Sequence, residues 1–252
     1  MSIQKPREPS PAREDGCFAV TAERKYYVRG HAFIKRSLRP KEFITNWKGK
    51  THVPRLRKEL LINEAAALRF IRQHTDIPVP DVYCDFEDDD AYYLISQNID
   101  GVNMADLKDE EQKAVVRVEL EQHLAKLKGI KSRRLGGPSG ILIPPYRVLR
   151  VTERDDWSSC KKSEPKDGEE YVFCHGDCSQ HNVIVDPETL RIKAIIDWEY
   201  AGFFPAAFEF PFYKRKGPSI ALGEEKDDSL DLLEFLNSKA GEMQEAGEEL
   251  GD

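Results

Sequence analysis

The clearest pattern of apolar and polar positions lies late in the chain. Two β-branched runs, residues 183–185 and 192–196, flank Asp186-Pro187-Glu188-Thr189, whose chemistry favours a tight turn. Paired antiparallel about that turn, they set Asn182, entering the first run, beside Asp197, leaving the second. Asp177 lies five positions before Asn182, in the loop that follows a further apolar run at 171–174. Upstream, residues 26–35 alternate as a hairpin turning near Arg29-Gly30, with Phe33 and Lys35 on one face of its second strand. Residues 59–74 read as a helix whose stripe is Leu60, Ala67, Leu68 and Ile71, stopped by the prolines of Ile77-Pro78-Val79-Pro80. Glu64 falls on that stripe. A carboxylate on a buried face is costly unless a cation or donors meet it, and Lys35 is the best-placed cation.

Residues 82–86 and 91–96 form a second hairpin across an acidic turn. Gln97-Asn98-Ile99-Asp100-Gly101 then breaks the pattern, and helices follow. One should run over 105–128, with Val116, Leu120, Leu124 and Leu127 on its apolar face and Gly129 as its stop. Asp228-Ser229 would cap a short final helix at 230–237. Between them, Gly136-Gly137-Pro138 and Pro144-Pro145 mark loops, and 161–170 reads as an exposed charged link. Aromatics at 205–213 are expected to pack under the hairpin. The expected organisation is a disordered lead-in at 1–20, a first lobe at 21–98, a second at 99–240 and an acidic tail at 241–252.

Composition narrows the function classes. A chain of 252 residues with 40% hydrophobic content can bury a core, and its net charge of −7 argues against general affinity for nucleic acid or anionic membrane. No stretch approaches the roughly 18 apolar residues of a membrane span. The polar, Pro-rich start does not read as a secretory signal. Five irregularly spaced cysteines suit a reducing compartment, so a cytoplasmic protein is expected. Lys48-Gly49-Lys50-Thr51 is not a phosphate loop, because Ile44 stands where that loop needs its first glycine. The aspartates at 88–90 lack the alternation of a calcium loop. Cys174, His175, Cys178 and His181 are a candidate zinc quartet, without a Cys-x-x-Cys pair.

The oxygen-bearing trio Asp177, Asn182 and Asp197 is the chemistry that Mg²⁺ favours. With the strand lysine and helix glutamate upstream, the order of parts becomes His175-Gly176-Asp177, Asn182 and Asp197-Trp198-Glu199 behind Lys35 and Glu64. That order resembles the aminoglycoside phosphotransferase/choline kinase family, and residues 173–187 are especially similar to its fungal members. The resemblance implies an α+β, two-lobed protein-kinase-like fold, with a small antiparallel β-sheet N-lobe carrying one helix and a mainly helical C-lobe carrying a catalytic hairpin. It implies an ATP- and Mg²⁺-dependent phosphotransferase acting on a hydroxyl of a small acceptor, with or without an amine. By the same resemblance Asp177 would accept the hydroxyl proton, and Asn182 and Asp197 would hold Mg²⁺. Lys35 would contact the α/β-phosphates, held by Glu64, while Gln97, Asn98 and Ile99 would meet the adenine through backbone groups. His175 would fix the loop through its ring nitrogens. No Gly-x-Gly-x-x-Gly precedes Lys35, and little chain follows Asp197. The alternative is therefore a kinase-fold binding or scaffold protein without turnover.

Overall fold

Period-two alternation begins earlier than the sequence suggests. In the structure, a computed structural model that describes residues 14–159 and 170–248, Cys17–Val20 already forms a strand, β1. It pairs with β2 (Arg24–Arg29), which pairs with β3 (Ala32–Ser37). Residues 17–20, expected to belong to a disordered lead-in, are therefore ordered, because Cys17 and Ala19 find partners in Tyr27 and Tyr26. Residues 1–13, residues 160–169 with all of the expected charged link except Glu170, and the last four residues of the acidic tail lie outside the described residues. The hairpin of β4 (Val82–Asp88) and β5 (Ala91–Gln97) completes an antiparallel sheet in the order β1-β2-β3-β5-β4.

Beneath this sheet's backbone pairing lies an ion network. Arg36 is 1% exposed and Lys25 is 2% exposed, and both are met by Glu42. Glu14 adds further contacts to Lys25 and Arg36 and receives the Tyr27 hydroxyl. Burying two cations is tolerable only with such paired carboxylates.

The predicted helix α1 (Glu59–His74) forms at its predicted bounds, with Leu60, Ala67, Leu68 and Ile71 buried. The chain divides into two compact units, residues 1–62 with 82–98 and residues 63–81 with 99–252. Most of α1 thus belongs with the second unit, whereas the sequence reading assigned all of 21–98 to one lobe.

In the second unit, β6 (Val102–Asn103) is followed by the long helix α2 (Glu110–Gly129). The start expected at 105 is late by five residues, since Met104–Asp106 makes a 3-10 turn and Leu107 is extended. Glu110 and Glu111 then suit the positive end of the helix. Val116, Leu120, Leu124 and Leu127 are buried as the stripe requires. Next come β7 (Lys131–Ser132), the single turn α3 (Tyr146–Leu149) and β8 (Tyr171–Cys174). The hairpin β9 (Val183–Val185) and β10 (Ile192–Ile195) pairs with β6, while β11 (Gly202–Phe204) and β7 flank β8.

The last helix, α4 (Ser229–Glu248), runs well past the expected 230–237, so the acidic tail is helical as far as Glu248. The aromatics at 205–213 divide their work. Phe208 stacks on Phe204 at 4.9 Å and meets Phe235 of α4 edge-on at 5.6 Å, rather than lying under the hairpin. The Tyr213 carbonyl instead accepts from the Gln180 side chain in the loop before β9. No helix among the described residues is long and apolar enough to cross a membrane.

Candidate active site

The loop between β8 and β9 is built around a turn that only glycine fits. Gly176 has φ +80°, and a Cβ there would sit 2.7 Å from the Tyr200 carbonyl oxygen. His175 is fully buried beside it. Its Nδ1 accepts the Asp177 N–H at 3.2 Å, so the ring proton is on Nε2, which donates to the Ile196 carbonyl at 3.0 Å. One imidazole thus ties the loop before β9 to the chain after β10.

Those bonds also leave the zinc alternative without its first histidine. Both His175 nitrogens are committed, one to the Asp177 N–H and one to the Ile196 carbonyl. Among the described residues no three His, Cys, Asp or Glu side chains converge as a metal group.

Asn182 is buried and donates Nδ2 to the Asp177 carbonyl at 2.8 Å and to its carboxylate Oδ2 at 3.2 Å. Its amide oxygen is therefore the end left for a cation. The hairpin register differs by one from the expected pairing. Val183 faces Ile195 and the Ile196 N–H reaches the Asn182 carbonyl, so Asn182 is opposite Ile196 and Asp197 follows one step beyond. The bulge between Ile192 and Ala194 moves the register toward the expected pairing, since without it Asn182 would stand opposite Ile195. Asp197 turns the chain in a left-handed conformation, φ 61° and ψ 54°.

Asp177 is brought into the field of two acids. Burial is the main cause that raises its pKa to about 7, and the Asp197 and Glu199 carboxylates push the same way. The Asn182 amide and the Ser219 hydroxyl oppose the rise. Asp177 and Asn182 are thus hydrogen-bonded, and Asp197 lies near enough for its charge to act on Asp177, all within one unit of the chain. A divalent cation would relieve this crowding of negative charge.

Two supporting residues escape the sequence reading. Glu209 accepts the backbone N–H of His175, and that of Gly176 at 3.4 Å. An acid between Phe208 and Phe210 was the available signal, of the same kind as Glu64 in its stripe. Burial raises its pKa from the ordinary 4.5 to about 7, although the two N–H donors and Arg147 favour the anion. A raised carboxyl pKa stabilises the fold below the unfolded value and loses that contribution as pH climbs through the folded one. Between pH 4.5 and 7 the native protein therefore loses stability on this account. Glu209→Gln, which keeps an acceptor oxygen but cannot ionise, is expected to lack that loss. Denaturant midpoints measured across this range should match at pH 4.5 and favour the variant at pH 8.

Ser219 is the other. It is 5% exposed and close to the Asp177 carboxylate, without completing a hydrogen bond. Arg215 braces its loop, donating to the Pro218 and Ile220 carbonyls while pairing with Glu225. Nothing in Gly217-Pro218-Ser219 marked this in the sequence.

The remaining candidates are placed as follows. Lys35 lies on β3, 6% exposed, opposite Tyr26 and two residues beyond Phe33 on the same face. Phe18, Tyr26 and Phe33 form a ring cluster with centroids 5.9–6.4 Å apart, and Phe18 is 50% exposed. Glu64 sits on α1, 3% exposed. Gln97 ends β5 opposite Ala32, and the Asn98 N–H donates to the His31 carbonyl at 2.8 Å, which removes that N–H from groups able to meet a ligand. Ile99 opens the second unit's return. In place of a glycine-rich loop, β1 and β2 are joined by a turn that Thr21 closes, its hydroxyl accepting the Glu23 and Arg24 N–H groups.

The described residues build an α+β fold. Comparison with known proteins supplies the family: the phosphotransferase enzyme family (APH) matches over residues 18–231. The chain belongs to that family. The aminoglycoside 3'-phosphotransferase of Streptomyces fradiae is 30% identical over 158 residues, 54% of this chain and 57% of that protein. The chain thus spans little more than half the length of the curated relative it matches. Among solved structures, aminoglycoside phosphotransferase APH(4)-Ia is 17% identical, with a TM-score of 0.47 covering 77% of this chain and 68% of the other. The aminoglycoside-3'-phosphotransferase of type VIII is 20% identical, with a TM-score of 0.47 over 79% and 75%.

Proposed function

We propose that the protein transfers the γ-phosphoryl group of ATP, with Mg²⁺, to a hydroxyl group of a small acceptor. The observation that carries this reading is the Asp177 carboxylate, held by Asn182 in a loop locked through His175 and crowded by Asp197. Membership of the phosphotransferase family supports it.

Asp177 is assigned the acceptor hydroxyl, accepting its hydrogen bond and aligning the oxygen for in-line attack. Asn182, through its amide oxygen, and Asp197 are assigned the metal. With so few protein ligands available, Mg²⁺ would be completed by phosphate oxygens and water, its usual mode. The cation would supply neutralisation of the charge on the transferring group. Lys35 is assigned the α/β-phosphates and Glu64 the task of holding that lysine. The backbone at Gln97 and Ile99 and its neighbour Asn98 are assigned the adenine.

The half-exposed aromatic surface of Phe18, Tyr26 and Phe33 suits the face of a purine. Phe33→Ala is expected to weaken ADP binding roughly tenfold, from a stacking contribution of about 1–3 kcal/mol. Calorimetric titration with ADP and Mg²⁺ checks it.

The reading is tested by incubating the protein with γ-labelled ATP, Mg²⁺ and a panel of amino-alcohols, aminocyclitols and aminoglycosides. Label transfer to at least one acceptor is expected, together with a Mg²⁺-dependent thermal shift by ADP. A shift without any transfer would favour a binding protein of kinase fold. Absence of both would end the proposal.

A further inference from the structure

We propose that Asn63 is a positioning residue that sets the direction of Asp197 from helix α1. The inference rests on the assignment of Asp197 to the metal made above. An asparagine is a poor helix former, and an amide without exposure survives only where its polar atoms are met. Asn63 is fully buried, and its amide is spent on the chain just beyond Asp197. Nδ2 donates to the Glu199 carbonyl and to the Ala201 carbonyl, both at 2.9 Å. Oδ1 accepts the Ser139 hydroxyl at 2.7 Å.

The neighbouring backbone is shaped around this contact. A Cβ on Gly137 would lie 1.9 Å from Asn63 Oδ1, so only glycine permits the approach. Gly136 exchanges backbone hydrogen bonds with Phe203, N–H to carbonyl at 3.1 Å and in return at 2.9 Å. Residues 199–203 are therefore clamped from two sides. Upstream, Ile196 is fixed by His175 and by the Asn182 carbonyl, and the Trp198 indole donates to the Ile195 carbonyl at 2.8 Å.

Asp197 is thus strung between two anchored ends, in a left-handed conformation that a non-glycine residue keeps only when its surroundings over-determine it. Asn63 supplies the downstream anchor. Cutting it should let the turn relax and swing the carboxylate, without touching any atom that meets the metal.

The test is Mn²⁺ binding to the full chain in the presence of ADP, followed by electron paramagnetic resonance. Asn63→Asp, which has the same shape but no donor for the two carbonyls, is expected to weaken Mn²⁺ by about 10–100-fold with ADP affinity in the absence of metal unchanged. Asn63→Ala, which removes the same donor without burying a carboxylate, should give a loss of the same kind. It carries the test if Asn63→Asp does not fold. Wild-type Mn²⁺ affinity in a folded Asn63→Asp, or in Asn63→Ala when only that variant folds, would mean a purely structural role and overturn the inference. Failure of the wild-type protein itself to bind Mn²⁺ with ADP would instead remove the metal assignment, and the inference with it.

Discussion

Asp177→Asn is expected to lower phosphoryl transfer by about 10²–10⁴-fold, the range for a lost acid–base group. The substitution spares the architecture. The Asp177 carbonyl still takes the Ser179 N–H at 2.9 Å and Asn182 Nδ2 at 2.8 Å, and these bonds do not involve the side chain. The asparagine also keeps an oxygen for Asn182. What it loses is the charge that receives a proton from the acceptor hydroxyl. Because burial and two nearby acids already raise the Asp177 pKa to about 7, removing its charge also removes repulsion. The melting temperature should therefore hold or rise while turnover collapses. Initial rates and thermal denaturation on the same samples check both halves. Equal rates for variant and wild type would sink the role given to Asp177.

The second large effect belongs to the sheet. Glu42→Ala is expected to cost about 3–5 kcal/mol, as breaking a buried ion pair typically does. Glu42 meets Arg36 with both oxygens, at 2.7 and 2.9 Å, and Lys25 at 2.7 Å, and it also takes the Arg39 N–H at 2.8 Å. Its loss leaves Arg36, 1% exposed, to the half-exposed Glu14. For a chain of this size that corresponds to a fall in melting temperature of roughly 6–20 °C, read by calorimetry. Acid should reproduce the effect. Burial pushes this largely covered carboxyl up, but the hydrogen bonds from Arg36, Lys25 and the Arg39 N–H together outweigh it and hold it well below its usual range. Its contribution is present above the unfolded pKa and is lost as pH falls through the folded one. Glu42→Ala should accordingly lose less stability than wild type on acidification.

Much of the candidate site is legible in the sequence. His175, Gly176, Asp177, Asn182 and Asp197 stand close together along the chain, and turn chemistry between β-branched runs sets most of their relative placement. Helix α1 was legible to the residue because its apolar stripe ends at prolines. The start of α2 was not, since Met104 and Ala105 are buried and apolar but bend into a separate turn. Strand β1 was hidden because Cys17 and Ala19 gain their reason to be extended only from Tyr27 and Tyr26.

By itself, then, the sequence determined the chemistry at one end of the hairpin, the amphipathic helices and the family. These are carried by residues near one another in the chain, where local periodicity and turn propensity act. Only the tertiary structure decided that Glu209 caps the His-Gly-Asp backbone and that Asn63 and Gly136 clamp the turn after Asp197. Ser219 beside Asp177, and the one-residue offset of Asn182 from Asp197, belong with them. Those contacts join residues far apart in sequence, and their identity depends on which buried polar atoms are left to be satisfied once the chain has packed.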